Sequence, residues 1–220
     1  VVVMDQKDWK GPAGEAIKSE LASSVPGLPQ AEPSLKITYV QPKDFTGLLR
    51  YVRNILVVTI DPTAYTKVSV GYENNVWARG QVVVSLKAPN TESIVEYSKT
   101  HEKALVNFFV KVEMNRAIEQ LQKEYSMVVM DNLKSDLNVM LNAPANFTYY
   151  KDTTDFFWSS NNANTGRMDL IVYTFPYTDP NTFTEEYLVA KRDSVLKANL
   201  PGSFPGSYMQ TETRAGVEYT

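Results

Sequence analysis

The segment NNVWARGQVVV holds the side chains best suited to contacting a ligand. Trp77, Arg79 and Gln81 alternate along it, and an extended chain would place all three on the same side. An aromatic face, a guanidinium and an amide can together recognise a sugar or a carboxylate. The same residues could instead close the end of a sheet, with Arg79 stacked over Trp77, and this structural interpretation is the more economical. These three residues are the candidate ligand or partner contacts that the sequence supplies.

The remaining residues offer little support for nucleophilic or metal-assisted catalysis. The chain has no cysteine and a single histidine, His101, which rules out thiolate nucleophiles, Cys-based zinc sites and multi-histidine metal sites. His101 lies in register with an apolar stripe and has no recognisable nucleophile or carboxylate partner for a triad. Asp131 and Asp136, like Asp152 and Asp155, lack the alternating pattern of a calcium loop. The sequence therefore predicts no catalytic residue, no cofactor and no metal site.

Paired carboxylates are the catalytic arrangement that stays open. Glycoside hydrolysis needs two acids a few ångströms apart across a cleft, and the chain has 25 acidic residues. Among so many acids some pairs will be close by chance, and the sequence cannot single one out. A carboxylate-dependent hydrolase is therefore the alternative to a non-catalytic protein.

The overall composition is that of an ordinary globular chain. Its 220 residues are 43% hydrophobic and 21% charged, close to the average for folded domains. The formal net charge of −3 and the scattered Lys and Arg residues provide no basic patch for nucleic acid. No apolar run is long enough to cross a bilayer. The length allows one large domain or two small ones.

Strand patterns in both parts of the chain flank a long helical segment. Apolar or alternating runs such as SLKITYV, RNILVVTID and RMDLIVYTF predict strands. Residues 91–143 contain neither Gly nor Pro, and their apolar side chains recur at helical spacing. This pattern predicts one long helix over about 91–125, followed by a kink or a short second helix near 130–136.

The order of these elements predicts an α+β fold. A second amphipathic helix is expected over about 182–198, where TFTEEYLVAKRDSVLKANLPG begins with a capping box and ends at Pro-Gly. Helices at irregular intervals among strands favour a mixed, mostly antiparallel sheet packed against these two helices. We expect a single domain over 1–220, with two sub-halves, 1–90 and 137–220, bridged by the helical segment 91–136.

The aromatic run in DFFWSS could form either a ligand platform or part of a core. In a strand, Phe156 and Trp158 point to one face and Phe157 points to the other. Rings of this size are usually buried, because each hides about 150–250 Å². The sequence therefore favours the core.

Several segments together resemble a known family: VVVMDQKDWKGPAGEAIKSEL, VPGLPQAEPSL, RNILVVTID, VWARGQVVV, DFFW and KRDSVLKANLPGSFPGSYMQTET. The family comprises uncharacterised proteins of Bacteroidetes-type bacteria, known only as a domain of unknown function, and the likeness runs along nearly the whole chain. Its members look like exported lipoproteins, with a signal peptide and a lipid-bearing Cys ahead of the folded part. The resemblance implies a place in the cell envelope, in the periplasm or at the outer membrane, with membrane association only through a lipid anchor upstream of this chain. It also implies a natural protein that continues beyond both ends, and it supplies no catalytic residue.

Two hypotheses of function follow. The first is an envelope-associated, non-catalytic binding or structural module, whose partner is an unknown protein or glycan of the cell envelope. It rests on the resemblance, on the lack of a reactive constellation, and on the Trp77–Gln81 segment. The second is a carboxylate-dependent hydrolase that acts on a cell-wall or glycan substrate. The sequence favours the first, and so a protein that is not an enzyme.

Overall fold

The computed structural model describes residues 1–28 and 30–212. The chain divides into two compact units, Val1–Met114 and Asn115–Thr220. The boundary lies inside the segment 91–136, which was expected to bridge two sub-halves. Each unit contains a sheet of its own.

Helices and strands are both abundant, which confirms the predicted α+β class. The helices are α1 (Gln6–Trp9), α2 (Pro12–Leu21), α3 (Thr91–Thr100), α4 (Ala104–Lys123), α5 (Met127–Leu137) and α6 (Glu185–Asn199). The strands are β1 (Val2–Val3), β2 (Tyr39–Val40), β3 (Asn54–Ile60), β4 (Ser69–Asn74), β5 (Val82–Ala88), β6 (Tyr149–Thr153), β7 (Phe156–Ser160) and β8 (Asp169–Tyr173). Short 3₁₀ helices cover Pro42–Asp44, Gly47–Tyr51 and Pro180–Phe183. In the part of the chain that the structure describes, no helix combines the length and the apolar character that a membrane crossing requires.

The sheet of the first unit is mixed, with the strand order β2-β1-β3-β5-β4. β1, β2, β3 and β5 run parallel, and β4 pairs antiparallel with β5 at one edge. A mixed sheet was predicted, but the parallel majority within it was not. A connection through α1 and α2 returns the chain from the end of β1 to its start, so that β2 can run alongside in the same direction. Antiparallel pairing prevails instead in the second unit, where β6, β7 and β8 form a separate sheet.

The main core of the first unit lies between one face of its sheet and the helices α2, α3 and α4. Leu56 of β3, Leu86 of β5 and Ile94 of α3 are almost fully buried there. A smaller cluster, which includes Phe45 and Ile55, lies on the opposite face. Residues of the first two 3₁₀ helices and their flanks cover this second face, so they have a fixed place on the sheet.

The helix predicted over 91–125 is wrong in one respect, because residues 101–103 separate α3 from α4. Lys103 adopts a left-handed backbone conformation with a φ of 61°. The side chain of Glu20, on α2 and only 8% exposed, accepts a hydrogen bond of 2.7 Å from the Leu105 N–H. A side-chain acceptor at the first turn satisfies an amide that has no partner inside the helix. A residue distant in sequence thus fixes where α4 begins.

In the second unit the sheet β6-β7-β8 packs against α5. Its core cluster comprises Val129, Leu133, Ala143, Phe147 and Phe157. Phe156 and Phe157 are both buried, which confirms the core interpretation of this aromatic run. Trp158 is half-buried, and its indole N–H donates to Asp169 Oδ1 at 2.9 Å.

The helix predicted over 182–198 begins slightly later than expected. A 3₁₀ helix precedes it, and α6 starts after Thr184, whose hydroxyl accepts a hydrogen bond of 3.4 Å from the Tyr187 N–H. Thr182, the predicted cap, is instead buried. The error arose because two threonines in this segment compete for the same role, and only packing selects one.

Candidate functional site

The loop that carries Trp77 and Arg79 is a turn and not an extended strand. It joins β4 to β5, and Asn75 and Gly80 have φ values of 59° and 75°. The Gly80 N–H donates to Asn75 Oδ1 at 2.6 Å, which closes the loop on itself. The extended alternation expected for Trp77, Arg79 and Gln81 is therefore wrong, and the three side chains do not share one strand face.

Gln81 lies at the base of this loop and is only 1% exposed. Its side-chain amide donates to the carbonyl oxygens of Arg50 and Val52, at 2.6 and 2.7 Å. Its Oε1 accepts a hydrogen bond of 3.0 Å from the Trp77 N–H. Gln81 thus ties the loop to the 3₁₀ helix Gly47–Tyr51. It positions Trp77 and is too deeply buried to touch a ligand itself.

Trp77 packs at the surface against residues of the preceding 3₁₀ helices. Its ring meets that of Phe45 edge-on, with the centroids 5.5 Å apart and the planes at 74°. The guanidinium carbon of Arg50 lies 5.9 Å from the indole centroid. Arg50 therefore takes the place beside the indole that the structural interpretation of the sequence gave to Arg79, which is exposed in the turn.

Exposed apolar side chains accompany Trp77, which is itself 37% exposed. Leu48 and Tyr51, on the 3₁₀ helix that also carries Arg50, are 86% and 60% exposed, and Val76 adjoins Trp77 in the loop. We call Leu48, Arg50, Tyr51, Val76 and Trp77 the Trp77 surface. Sequence reasoning overlooked the GLLRY contribution, because that segment meets the loop through tertiary contacts, the hydrogen bonds of Gln81 and the contact of Arg50 with Trp77.

One pair of acids in the second unit shows opposite pKa shifts. The Ser135 hydroxyl, which donates to Asp136 at 2.6 Å, and a hydrogen bond with Asp152 lower the pKa of Asp136. Desolvation, together with the hydrogen bond and charge of Asp136, raises the pKa of Asp152. Both aspartates are exposed, so the pair lies at the open surface and not in a cleft.

Acids other than Asp136 and Asp152 border two cavities in the first unit. A cavity of about 260 Å³ is lined by Glu113, which accepts a hydrogen bond of 2.5 Å from the Asn54 side-chain amide. Glu92 and Glu96 border a shallow groove along α3. Two-acid hydrolysis needs a cleft and split ionisation in the same pair, and Asp136 and Asp152 line neither of these two cavities. Across residues 1–28 and 30–212 there is no group of three or more His, Asp or Glu side chains that could hold a metal ion.

Fold and surface together define an α+β protein of two compact units, the first of which presents an ordered aromatic and guanidinium surface. The chain belongs to the family described as domain of unknown function (DUF8532), whose model matches residues 1–122. The model of a second family, domain of unknown function (DUF4837), matches residues 126–220. The predicted membership of an uncharacterised family is confirmed, and the two matches meet between α4 and α5. Comparison with curated proteins and with solved structures gave no match.

Proposed function

We propose that this chain is an exported, envelope-associated lipoprotein domain that works as a non-catalytic binding module. The resemblance of its segments to Bacteroidetes-type lipoproteins supports a location in the periplasm or at the outer membrane. In this proposal membrane association comes only from a lipid anchor upstream of the chain. The partner is a protein or a glycan of the cell envelope, and nucleic acid is not among its ligands.

The observation that carries the proposal is the fixed position of Trp77 at the surface. Gln81 holds the Trp77 N–H while the neighbouring Phe45 and Arg50 hold its ring. A side chain that is ordered before binding loses less conformational entropy when a partner arrives. The exposed Leu48 and Tyr51 extend the apolar contact area around it.

The composition of the Trp77 surface favours a protein partner. Trp, Tyr and Arg are the residue types that most often dominate binding energy at protein interfaces. Arg50 and the exposed Arg79 favour acidic groups on that partner, since a guanidinium pairs with a carboxylate in two parallel hydrogen bonds. The position of the Asp136–Asp152 pair at the open surface supports a non-catalytic role over a hydrolase.

Site-specific photo-crosslinking tests the binding role. A photoreactive residue in place of Leu48, in the full-length natural protein within its own cells, should give a discrete adduct that the additional Trp77→Ala change abolishes. The matched control is Val70, which is also exposed but pairs with Leu86 and so lies on the helix-bearing side of the sheet. Equal adducts from both positions, or an adduct that survives Trp77→Ala, would contradict the proposal.

Cell fractionation tests the location separately. The full-length natural protein should sediment with membranes and carry a lipid on a cysteine upstream of this chain, as detected by mass spectrometry. Recovery of an unlipidated protein in the cytosolic fraction would refute the envelope assignment. The binding role of the Trp77 surface would then depend on the crosslinking result alone.

A further inference from the structure

The second unit carries five aromatic rings that form two contact groups, one of three rings and one of two. The rings of Tyr173 and Phe175 lie 6.1 Å apart, those of Phe175 and Tyr187 5.9 Å apart, and those of Tyr177 and Phe183 5.3 Å apart. We call these five residues the aromatic strip. They come from the end of β8, the segment after it, the last 3₁₀ helix and the first turn of α6, so a reversal of the chain gathers them.

The Tyr177–Phe183 pair of the aromatic strip is open to solvent. Phe183 is 70% exposed and Tyr177 is 64% exposed. Their planes are inclined by only 28°, so the two rings stack on each other while most of their surface stays exposed. Core packing does not account for rings placed in this way, and exposed apolar groups of this size mark contact sites.

The backbone around Tyr177 and Phe183 is held in place before any ligand arrives. Pro176 has a fixed φ and confines Phe175 to extended conformations. The Asp179 carboxylate accepts a hydrogen bond of 2.7 Å from the Asn181 N–H, and Thr182 is 1% exposed, which anchors the 3₁₀ helix. A site formed in advance loses little entropy on binding.

Short polar side chains lie between the two stacked rings in sequence. Thr178, Asp179 and Asn181 are all exposed and supply a hydroxyl, a carboxylate and an amide. Together these side chains supply hydrogen-bond donors and acceptors, which suits a ligand that carries many hydroxyl groups.

The charges beside the aromatic strip are of both signs. The Lys191 ammonium lies 5.2 Å from the centroid of the Phe175 ring, whereas Glu185 and Glu186 occupy the first turn of α6. The exposed Asp179 adds a third carboxylate, so an anionic ligand would meet net repulsion. The excess of carboxylates favours a neutral ligand over an anionic one.

We propose that the aromatic strip binds a neutral glycan. Sugar rings present C–H groups of slight positive charge, which pack on the negative face of an aromatic ring. The hydroxyl groups at the edge of the sugar then bond to the polar side chains beside the rings. This site lies in the second unit and does not depend on the Trp77 surface, so either can fail without the other.

Isothermal titration calorimetry of the full chain with defined oligosaccharides tests the proposal. The probes are cellohexaose, maltohexaose and chitohexaose, with hexagalacturonic acid as the anionic comparison. At least one neutral hexasaccharide should bind, and the anionic one should not. Phe183→Ala and Tyr177→Ala should each weaken binding about fivefold to tenfold, because each removes one stacking ring. Tyr149→Ala should leave binding unchanged, since Tyr149 is 56% exposed but lies on β6, outside the aromatic strip.

Each contrary outcome overturns the assignment. Failure of all three neutral probes would reject the ligand class, as would tighter binding of hexagalacturonic acid. Binding that survives both ring deletions would place the glycan elsewhere. If the protein binds no glycan but self-associates, and Phe183→Ala abolishes that self-association, the aromatic strip is a contact between two copies of the chain. Phe183→Leu keeps an apolar side chain while removing the ring, and it replaces the alanine variant if that variant unfolds.

Discussion

Replacing Gln81 by alanine should release the Trp77 loop and destabilise the first unit. The change removes the two donors that reach the Arg50 and Val52 carbonyl oxygens and the acceptor of the Trp77 N–H. Because the Gln81 side chain is 1% exposed and the three hydrogen bonds are partly buried, water can replace them only in part.

The size of the effect follows from those three hydrogen bonds. Each is worth about 0.5–1.5 kcal/mol net, so their loss amounts to roughly 1.5–4.5 kcal/mol. Truncation also leaves an unfilled space, which adds to the cost, while the partial solvent access of the three groups reduces it. We expect the free energy of unfolding to fall by about 3 kcal/mol.

Urea unfolding followed by tryptophan fluorescence measures this change. Arg79→Ala, in the same loop but exposed, is the matched control and should shift the free energy of unfolding by less than about 0.5 kcal/mol. Gln81→Glu keeps the size but loses both donors and turns a carboxylate toward two carbonyl oxygens, so at neutral pH it should be no more stable than the alanine variant. A Gln81→Ala protein as stable as the Arg79→Ala control would refute the reasoning.

Three further predictions concern residues packed inside one unit or the other. Burial raises the pKa of Glu20 above its ordinary value of 4.5, more than the hydrogen bonds from Leu105 and its neighbour lower it, so the folded state binds this proton more tightly than the unfolded state does. Stability should therefore fall as pH rises from about 4.5 through the folded pKa, and Glu20→Gln should reduce that fall in pH-dependent urea unfolding. Gly14→Ala should cost about 3 kcal/mol in thermal unfolding, because a methyl group there would overlap the main chain of Trp9. Phe157→Ala should cost about 3–5 kcal/mol in urea unfolding of the second unit, since the ring is 2% exposed.

Each of these outcomes has a matched comparison. Gly71→Ala, at a glycine with open space around it, should change thermal stability by less than about 0.5 kcal/mol. Phe183→Ala removes an equally large ring at an exposed position and should cost far less than Phe157→Ala. An unchanged pH profile in Glu20→Gln would show that this carboxylate does not titrate differently in the folded state.

Local patterns predicted the parts of the fold that depend on near neighbours. Asn90 is of a residue type that commonly caps helices, and its side chain accepts a hydrogen bond from the Ser93 N–H at the start of α3. The burial of Phe156 and Phe157 followed from ring size alone. Tyr173, Phe175 and Tyr177 alternate just as Trp77, Arg79 and Gln81 do, so the same search applied to that segment would have found part of the aromatic strip. What it could not have found is Phe183, because the chain reverses before reaching it.

The sequence by itself determined the α+β class, the burial of its aromatic strand and the absence of thiolate or multi-histidine chemistry. These properties depend on composition and on periodicity over a few residues. Only the tertiary structure decided that Glu20 starts a helix 85 residues away, that Gln81 is a buried support and not a contact residue, and that Arg50 stands beside Trp77. Each of those outcomes depends on a hydrogen bond or ring contact between segments far apart along the chain, whose partners no local pattern specifies.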